Sequence, residues 1–282
     1  MKMKVWHQIS IIIALSAITC CSYTVKNSML FSPEKQIVPN KINELKKNYQ
    51  FEDVYYDVED SIQINAWLLT KKDAKATILF LHGNAGNLST PPWINILSAL
   101  SQMNLNIFAI DYRGFGKSSG EPTLSGMYKD AQAAVNYLRS RNDIIKPIIV
   151  YGLSVGSIPA IKIAQDKNIS GLIIEGAISS SDDMSKAFKS RKWYYRFWRI
   201  QLEDGLKFDS MEEIKKLDKP ILIIHGRKDK SIPEYMGRKL AESALSKDKQ
   251  YYVVEDGGHC NTYRIEPKQY AHKILDFIEN CK

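Results

Sequence analysis

The chain reads as an α/β protein: a mostly parallel, doubly wound sheet, entered through an N-terminal antiparallel hairpin and carrying a small helical lid. Three observations predict it. Continuous apolar runs recur at Ala76–Leu81, Leu105–Ile110, Ile148–Val150, Gly171–Ile174, Ile221–Ile224 and Tyr251–Val254, which suits strands buried on both faces. Between them, Trp93–Met103, Gly126–Arg141, Val155–Gln165, Tyr235–Leu245 and Pro267–Glu279 show apolar spacings of three and four, the period of helices packed on a sheet. Ahead of both, Tyr49–Val58 and Ile62–Thr70 are rich in β-branched and aromatic residues and flank Glu59-Asp60-Ser61, which predicts a hairpin and its turn. Strands alternating with helices imply parallel neighbours with right-handed crossovers.

Taken in order, the chain opens with Lys2 and Lys4, an apolar stretch from Ile9 to Ile18, and Thr19-Cys20-Cys21-Ser22. Residues 1–21 read as an export signal, because an apolar core of about 10 residues is short of the ~20 that span a bilayer. Cys20 and Cys21 are similar to the end of a bacterial lipoprotein signal, although that pattern prefers a small residue before the cysteine, and Thr19 stands before Cys20. A lipidated cysteine, a short uncleaved anchor and plain secretion all remain open. Each puts the protein in the cell envelope, membrane-anchored or periplasmic. Residues 22–48 follow as a linker and N-terminal segment, and 49–282 as one domain, a size that supports a full core. With 44% hydrophobic and 25% charged residues among 282, neither disorder nor a polytopic membrane protein is indicated. The net charge of +8 favours anionic surfaces without choosing among them. After the signal only Cys260 and Cys281 remain. The final helix, roughly 20 Å long at 1.5 Å per residue, carries Cys281 to the far edge of the sheet, so two unpaired thiols are expected.

The chemistry centres on Ile148-Ile149-Val150-Tyr151-Gly152-Leu153-Ser154-Val155-Gly156, a buried strand running into Gly-x-Ser-x-Gly. That is a nucleophile elbow, in which a side chain at either glycine would collide with the neighbouring strand or helix and the serine backbone is strained. A partner base belongs at the carboxyl end of another strand. His7 lies in the export segment, His272 lies in the terminal helix, and His82 and His225 each precede a glycine directly after a strand and read as structural. His259 remains, in the loop Glu255-Asp256-Gly257-Gly258-His259 after the last strand. Asp229, in the loop after the penultimate strand, is the acid, with Glu175 in reserve at the end of Ile173-Ile174. In such a set the histidine takes the serine proton, and the aspartate holds the imidazole tautomer. The backbone amides of Asn84, after strand Ile78–Leu81, and of Val155 are the expected oxyanion donors.

Asp111-Tyr112-Arg113-Gly114-Phe115-Gly116-Lys117-Ser118 imitates a phosphate-binding loop, but Asp111 stands where that loop needs glycine. Together with Phe80-Leu81-His82-Gly83-Asn84-Ala85-Gly86-Asn87, the elbow and Gly257-Gly258-His259, this segment resembles the α/β-hydrolase superfamily. More narrowly, the combination resembles membrane-tethered serine hydrolases related to monoglyceride lipases, acyl-protein thioesterases and serine aminopeptidases. The resemblance covers roughly residues 50–280. It implies a serine hydrolase working through an acyl-enzyme on a carboxylic ester or thioester, with a peptidase or amidase, or a silent hydrolase-shaped binding protein, as alternatives. Neither cofactor nor metal is expected, and no nucleic-acid partner. The substrate would be small or lipid-like, with an acyl group. The thiol of Cys260, beside the histidine, is expected to be open to oxidants.

The stretch between Glu175 and Ile221 exceeds a simple crossover, which places the lid at about 178–212. Wound as a helix, Trp193, Phe197 and Ile200 share one face, and Lys192, Arg196 and Arg199 line the other. Such a stripe suits a membrane surface or a greasy entrance. It suits aromatics capping the core equally well.

Overall fold

The computed structural model describes residues 22–59, 61–144, 146–190, 193 and 198–281, the side chains of 40 and 41 excepted. The export signal with Cys20 and Cys21, Asp60 of the expected turn, and Lys192, Arg196 and Phe197 of the lid stripe lie outside the described residues.

Eight strands form the main sheet: β1 (Gln50–Glu59), β2 (Ile62–Thr70), β3 (Thr77–Leu81), β4 (Asn106–Asp111), β5 (Ile148–Leu153), β6 (Gly171–Glu175), β7 (Ile221–Gly226) and β8 (Lys249–Val254). Their spatial order is β1-β2-β4-β3-β5-β6-β7-β8. Only β2 runs against the rest, pairing antiparallel with β1 and β4. The α/β-hydrolase fold expected from the sequence is therefore present, its antiparallel hairpin at the N-terminal edge.

Strands β3 to β7 are buried along their whole length, which is why their sequences are unbroken apolar runs. Alternate side chains face opposite layers, as strand geometry requires. Leu79 and Leu81 of β3 join Met127, Ile161 and Leu240 on one face, while Ile78 and Phe80 join Leu97, Ile274 and Phe277 on the other. The helices Leu124–Ser140, Ser157–Ile163 and Tyr235–Ser243 cover the first face, and Trp93–Ser101 and Pro267–Asn280 cover the second. Cys260 and Cys281 are both free and buried. Cys281 packs against Gly171 at the start of β6, whereas Thr262, close to Cys260, bonds Glu175 at its end. About four strand residues, ~13 Å, separate them.

Residues 22–48 are docked on the domain. Ser22–Val25 forms a parallel pair with Arg199–Leu202, Ser32–Pro33 pairs with Ala85–Gly86, and the helix Pro39–Lys46 buries Ile42 and Leu45. The insertion between β6 and β7, where the lid is expected, contains the helices Ser181–Ser190 and Ser210–Ile214 and that strand Arg199–Leu202. This corrects the helical reading of the stripe at its C-terminal end. Ile200 sits in a strand whose burial alternates residue by residue, because pairing with Ser22–Val25 overrides helical period there. Trp193 is 71% exposed, and Arg199 faces solvent. Among the described residues, no helix is long and apolar enough to cross a membrane.

Candidate active site

The elbow is built by exclusion. A Cβ on Gly152 would stand 2.4 Å from Ala160 Cβ, and one on Gly156 would stand 2.2 Å from the Leu81 carbonyl oxygen. Glycine alone lets β5 turn this closely over β3. Ser154, between them, takes φ 56, a left-handed conformation that costs a side-chain-bearing residue on the order of 1–3 kcal/mol. A short 3-10 turn, Ser154–Gly156, leads into the helix Ser157–Ile163, which starts two residues later than its periodicity predicts. Ser157 Oγ donates to the Ser154 carbonyl at 2.6 Å and steadies the turn.

The structure brings Ser154, Asp229 and His259 into one hydrogen-bonded chain. Asp229 Oδ2 lies 2.7 Å from His259 Nδ1, and His259 Nε2 lies 3.1 Å from Ser154 Oγ. An ionised carboxylate only accepts, so Nδ1 carries the proton and Nε2 is left to accept from the hydroxyl. Asp229 is itself held: its Oδ1 accepts the Ser231 and Ile232 backbone amides, each at 2.8 Å. Ser154 and Asp229 are buried, whereas the imidazole keeps about a quarter of its surface (24%) open to solvent. A hydroxyl bonded to an accepting imidazole can lose its proton as it attacks a carbonyl.

The loop carrying Asn84 abuts this group, since a Cβ on Gly83 would lie 3.3 Å from Ser154 Cβ. Asn84 is pinned by the N-terminal segment: its side-chain amide donates to the Leu30 carbonyl at 2.6 Å, and its own carbonyl accepts from Ser32 N at 2.8 Å. Val155 is the residue after the serine and opens the 3-10 turn's second position.

His82 and His225 take structural places. His82 Nδ1 donates to the Gly83 carbonyl at 2.7 Å, and its Nε2 stands 3.4 Å from Asp111 Oδ1. His225 Nε2 lies 2.9 Å from the Ile232 carbonyl, and burial holds its pKa below the usual histidine range. Glu175 is fully buried and receives Thr262 Oγ1, Tyr151 Oη and Tyr270 Oη. Burial raises its pKa, against the opposing effect of those hydroxyls. It therefore supports the His259 loop from beneath through Thr262 and does not bond the imidazole. Gly176, absent from the sequence reading, follows it with φ +54, and a Cβ there would lie 3.3 Å from His259 Nδ1. Its signal was a glycine directly after a strand end, next to the reserve acid. Cys260 corrects another expectation. The residue is only 6% exposed, and burial, reinforced by the charges of Glu175 and Asp229, pushes its pKa well above the ordinary thiol range, which opposes the thiolate that oxidants need.

In the phosphate-loop look-alike, Lys117 Nζ is 2.5 Å from Asp53 Oδ2 and Ser118 Oγ donates to the Asp111 carbonyl at 2.5 Å. Both groups are committed to the protein. Among the described residues, no cluster of three or more His, Cys, Asp or Glu could hold a metal ion.

Fold and site define the class: the chain belongs to the α/β-hydrolase fold family, whose model matches residues 76–208. It is 36% identical to the human alpha/beta hydrolase domain-containing protein 17B over 208 residues, 73% of this chain and 67% of that one. It is 29% identical to the Arabidopsis thaliana alpha/beta hydrolase domain-containing protein WAV2, covering 84% of this chain and 82% of the relative. The Escherichia coli K12 protein YfhR, named as uncharacterized, is also 29% identical, over 80% of each chain. Among solved structures, the Pyrococcus furiosus esterase Pf2001 superposes with a TM-score of 0.72 over 88% of this chain and 98% of its own, at 20% identity. Est1E from Butyrivibrio proteoclasticus, with ferulic acid bound, gives 0.63 over 81% and 98% at 19% identity. At these identities the structural likeness is one of fold.

Proposed function

We propose that the protein is a serine hydrolase that cleaves a carboxylic ester or thioester. Ser154 Oγ attacks the carbonyl carbon as its proton passes to His259 Nε2, and the amides of Asn84 and Val155 receive the oxyanion. His259 then gives that proton to the leaving oxygen or sulfur as its bond to the carbonyl carbon breaks, leaving an acyl-Ser154. Water, deprotonated by the same nitrogen, then adds to the acyl carbon, and the bond to Ser154 Oγ breaks as His259 returns the proton to that oxygen, releasing the acid. Asp229 keeps the Nδ1 proton in place and stabilises the imidazolium. The observation that carries this reading is the unbroken sequence of contacts from Asp229 through His259 to Ser154, at 2.7 and 3.1 Å. The chemistry calls for no cofactor.

The narrower placement, among membrane-tethered hydrolases of lipid-like acyl groups in the cell envelope, rests on three features. These are the export-type N-terminus, the net charge of +8, and a lid surface that presents Trp193 and Arg199. In this reading the lid and the N-terminus face an anionic membrane together, since Ser22–Val25 pairs in parallel with the strand Arg199–Leu202.

A fluorophosphonate probe tests the activity. Ser154 should be labelled and the Ser154→Ala form should stay blank. Hydrolysis of p-nitrophenyl esters and acyl thioesters beside aminoacyl-nitroanilides then separates the classes: turnover of anilides alone would replace the esterase reading with an amidase one, and no labelling at all would leave a silent binding protein.

A further inference from the structure

Beside the elbow lies a cavity of about 120 Å³ whose walls include Val25, Leu30, Val155, Ile158, Met184 and Phe208, with Ser181 and Ser185 the polar residues that line it. Val155, the residue after Ser154, is part of its wall, and so is Ile158 in the first turn of the following helix. Burial of hydrocarbon is the interaction such walls offer. Met184 and Phe208 come from the lid, whereas Val25 and Leu30 come from the N-terminal segment, which the sequence presents as a linker.

That segment is a strap fastened at both ends. On the lid side, Ser22–Val25 pairs with Arg199–Leu202, Glu203 N donates to the Val25 carbonyl at 2.9 Å, and Asn27 donates to Glu203 Oε2 through its backbone at 2.7 Å and its side chain at 2.9 Å. On the other side, the Leu30 carbonyl accepts from Asn84, and Ser32 and Glu34 donate to the carbonyls of Asn84 and Gly86 at 2.8 and 2.9 Å. Leu30 thus has its backbone on the loop of the expected oxyanion donor and its side chain in the cavity wall.

We infer that this cavity receives the acyl chain of the substrate, and that Val25 and Leu30 close its far side and set the chain length accepted. The inference rests on the hydrolase reading. The volume holds about four water-sized groups, hence about four carbons beyond the carbonyl carbon, the terminal methyl included. Each methylene buried is worth about fourfold in kcat/KM, so specificity should climb from acetate to about pentanoate or hexanoate and then fall.

The test uses the full chain with p-nitrophenyl esters from acetate to decanoate, read as ratios of kcat/KM within each variant. Leu30→Ala should move the optimum outward by about two carbons and raise the octanoate-to-butanoate ratio about tenfold. Leu30→Trp should lower the hexanoate-to-acetate ratio about tenfold. Met184→Trp fills the same cavity from the lid and should act alike, which keeps the test alive if a Leu30 variant does not fold; thermal melts report folding. Ratios that stay flat in every folded variant while acetate is hydrolysed would overturn the assignment and leave the hydrolase intact. Loss of acetate turnover and of Ser154 labelling in the wild type would overturn both.

Discussion

Asp229→Asn separates a catalytic role of the acid from a packing role, because the structure dictates how the new amide must sit. Oδ1 of Asp229 receives two backbone amides, from Ser231 and Ile232, so the asparagine keeps its oxygen there. Flipping it would set NH2 against two N–H donors. The amide nitrogen then faces His259 Nδ1 across the 2.7 Å now spanned by the carboxylate. A donor at that place forces Nδ1 to accept, and the imidazole proton moves to Nε2, 3.1 Å from Ser154 Oγ. In that tautomer the ring cannot take the serine proton. A wrong-tautomer defect of this kind costs about 10⁴ in kcat, about 5.4 kcal/mol of transition-state stabilisation. The side chain's shape and two of its hydrogen bonds survive, so the melting temperature should move by only a few degrees. The assay is the second-order rate of fluorophosphonate labelling, with p-nitrophenyl acetate kcat/KM beside it. Glu175→Gln is the comparison, since Glu175 bonds hydroxyls and not the ring, and it should lose far less. An Asp229→Asn enzyme within tenfold of wild type, with a native melt, would refute the assigned role of Asp229.

The remaining expectations concern stability and reactivity. Gly156→Ala would drive a Cβ to within 2.2 Å of the Leu81 carbonyl oxygen and 2.4 Å of that of His82, both backbone atoms, so it should cost about 2–3 kcal/mol and lower the melting temperature by roughly 5–10 °C. A wild-type melt would mean that the elbow can relax. Asp183, on the lid helix, is bonded by Lys239 Nζ at 2.8 Å and by Ser179 Oγ at 2.7 Å. Burial pushes its pKa up, but those bonds outweigh it and hold the carboxyl below its ordinary value. A depressed carboxylate stabilises the fold above its unfolded pKa of ~3.9 and loses that contribution as pH falls through the folded value. The urea midpoints of wild type and Asp183→Asn should therefore differ at neutral pH and converge in acid; a gap that widens in acid would reverse the sign. Native Cys260 should resist iodoacetamide and react only on unfolding, and rapid alkylation of the folded protein, read by mass, would contradict its burial.

How much of this could be read from the residues depended on what holds each part. The sheet was legible because strands buried on both faces must be apolar throughout. Even so, β5 runs on to Leu153, past the predicted end at Val150, since Tyr151 and Leu153 are core residues that the intervening glycine disguises. Ser154, Asp229 and His259 were legible as candidates because each follows a strand, and parallel strands deliver their following loops to one edge. The strap was not legible. Its residues reach the domain through backbone hydrogen bonds to the loop Ala85–Gly86 and to the lid strand, which leave no mark on side-chain periodicity. The lid strand was misread for the same reason: the partner that makes Arg199–Leu202 extended lies more than 170 residues earlier in the chain.

The spatial order of the strands explains why the residues between the reacting groups are what they are. Ser154 follows β5, whereas Asp229 and His259 follow β7 and β8, so β6 ends in the gap between nucleophile and base. The imidazole must cross above that end to reach the hydroxyl. A Cβ on the residue leaving β6 would press on the ring, 3.3 Å from Nδ1 and 3.4 Å from Cε1, and Gly176 stands there. One residue earlier, Glu175 points below the crossing and takes the hydroxyl of Thr262, fixing the far side of the His259 loop. The near side is fixed by Lys228 N donating to the Gly257 carbonyl at 2.8 Å, which ties the loop of the acid to that of the base. The approach of His259 to Ser154 is therefore prepared by the residues around the His259 loop. It follows from a small residue above β6, a buried carboxylate beneath the loop, and a backbone bond between the two loops.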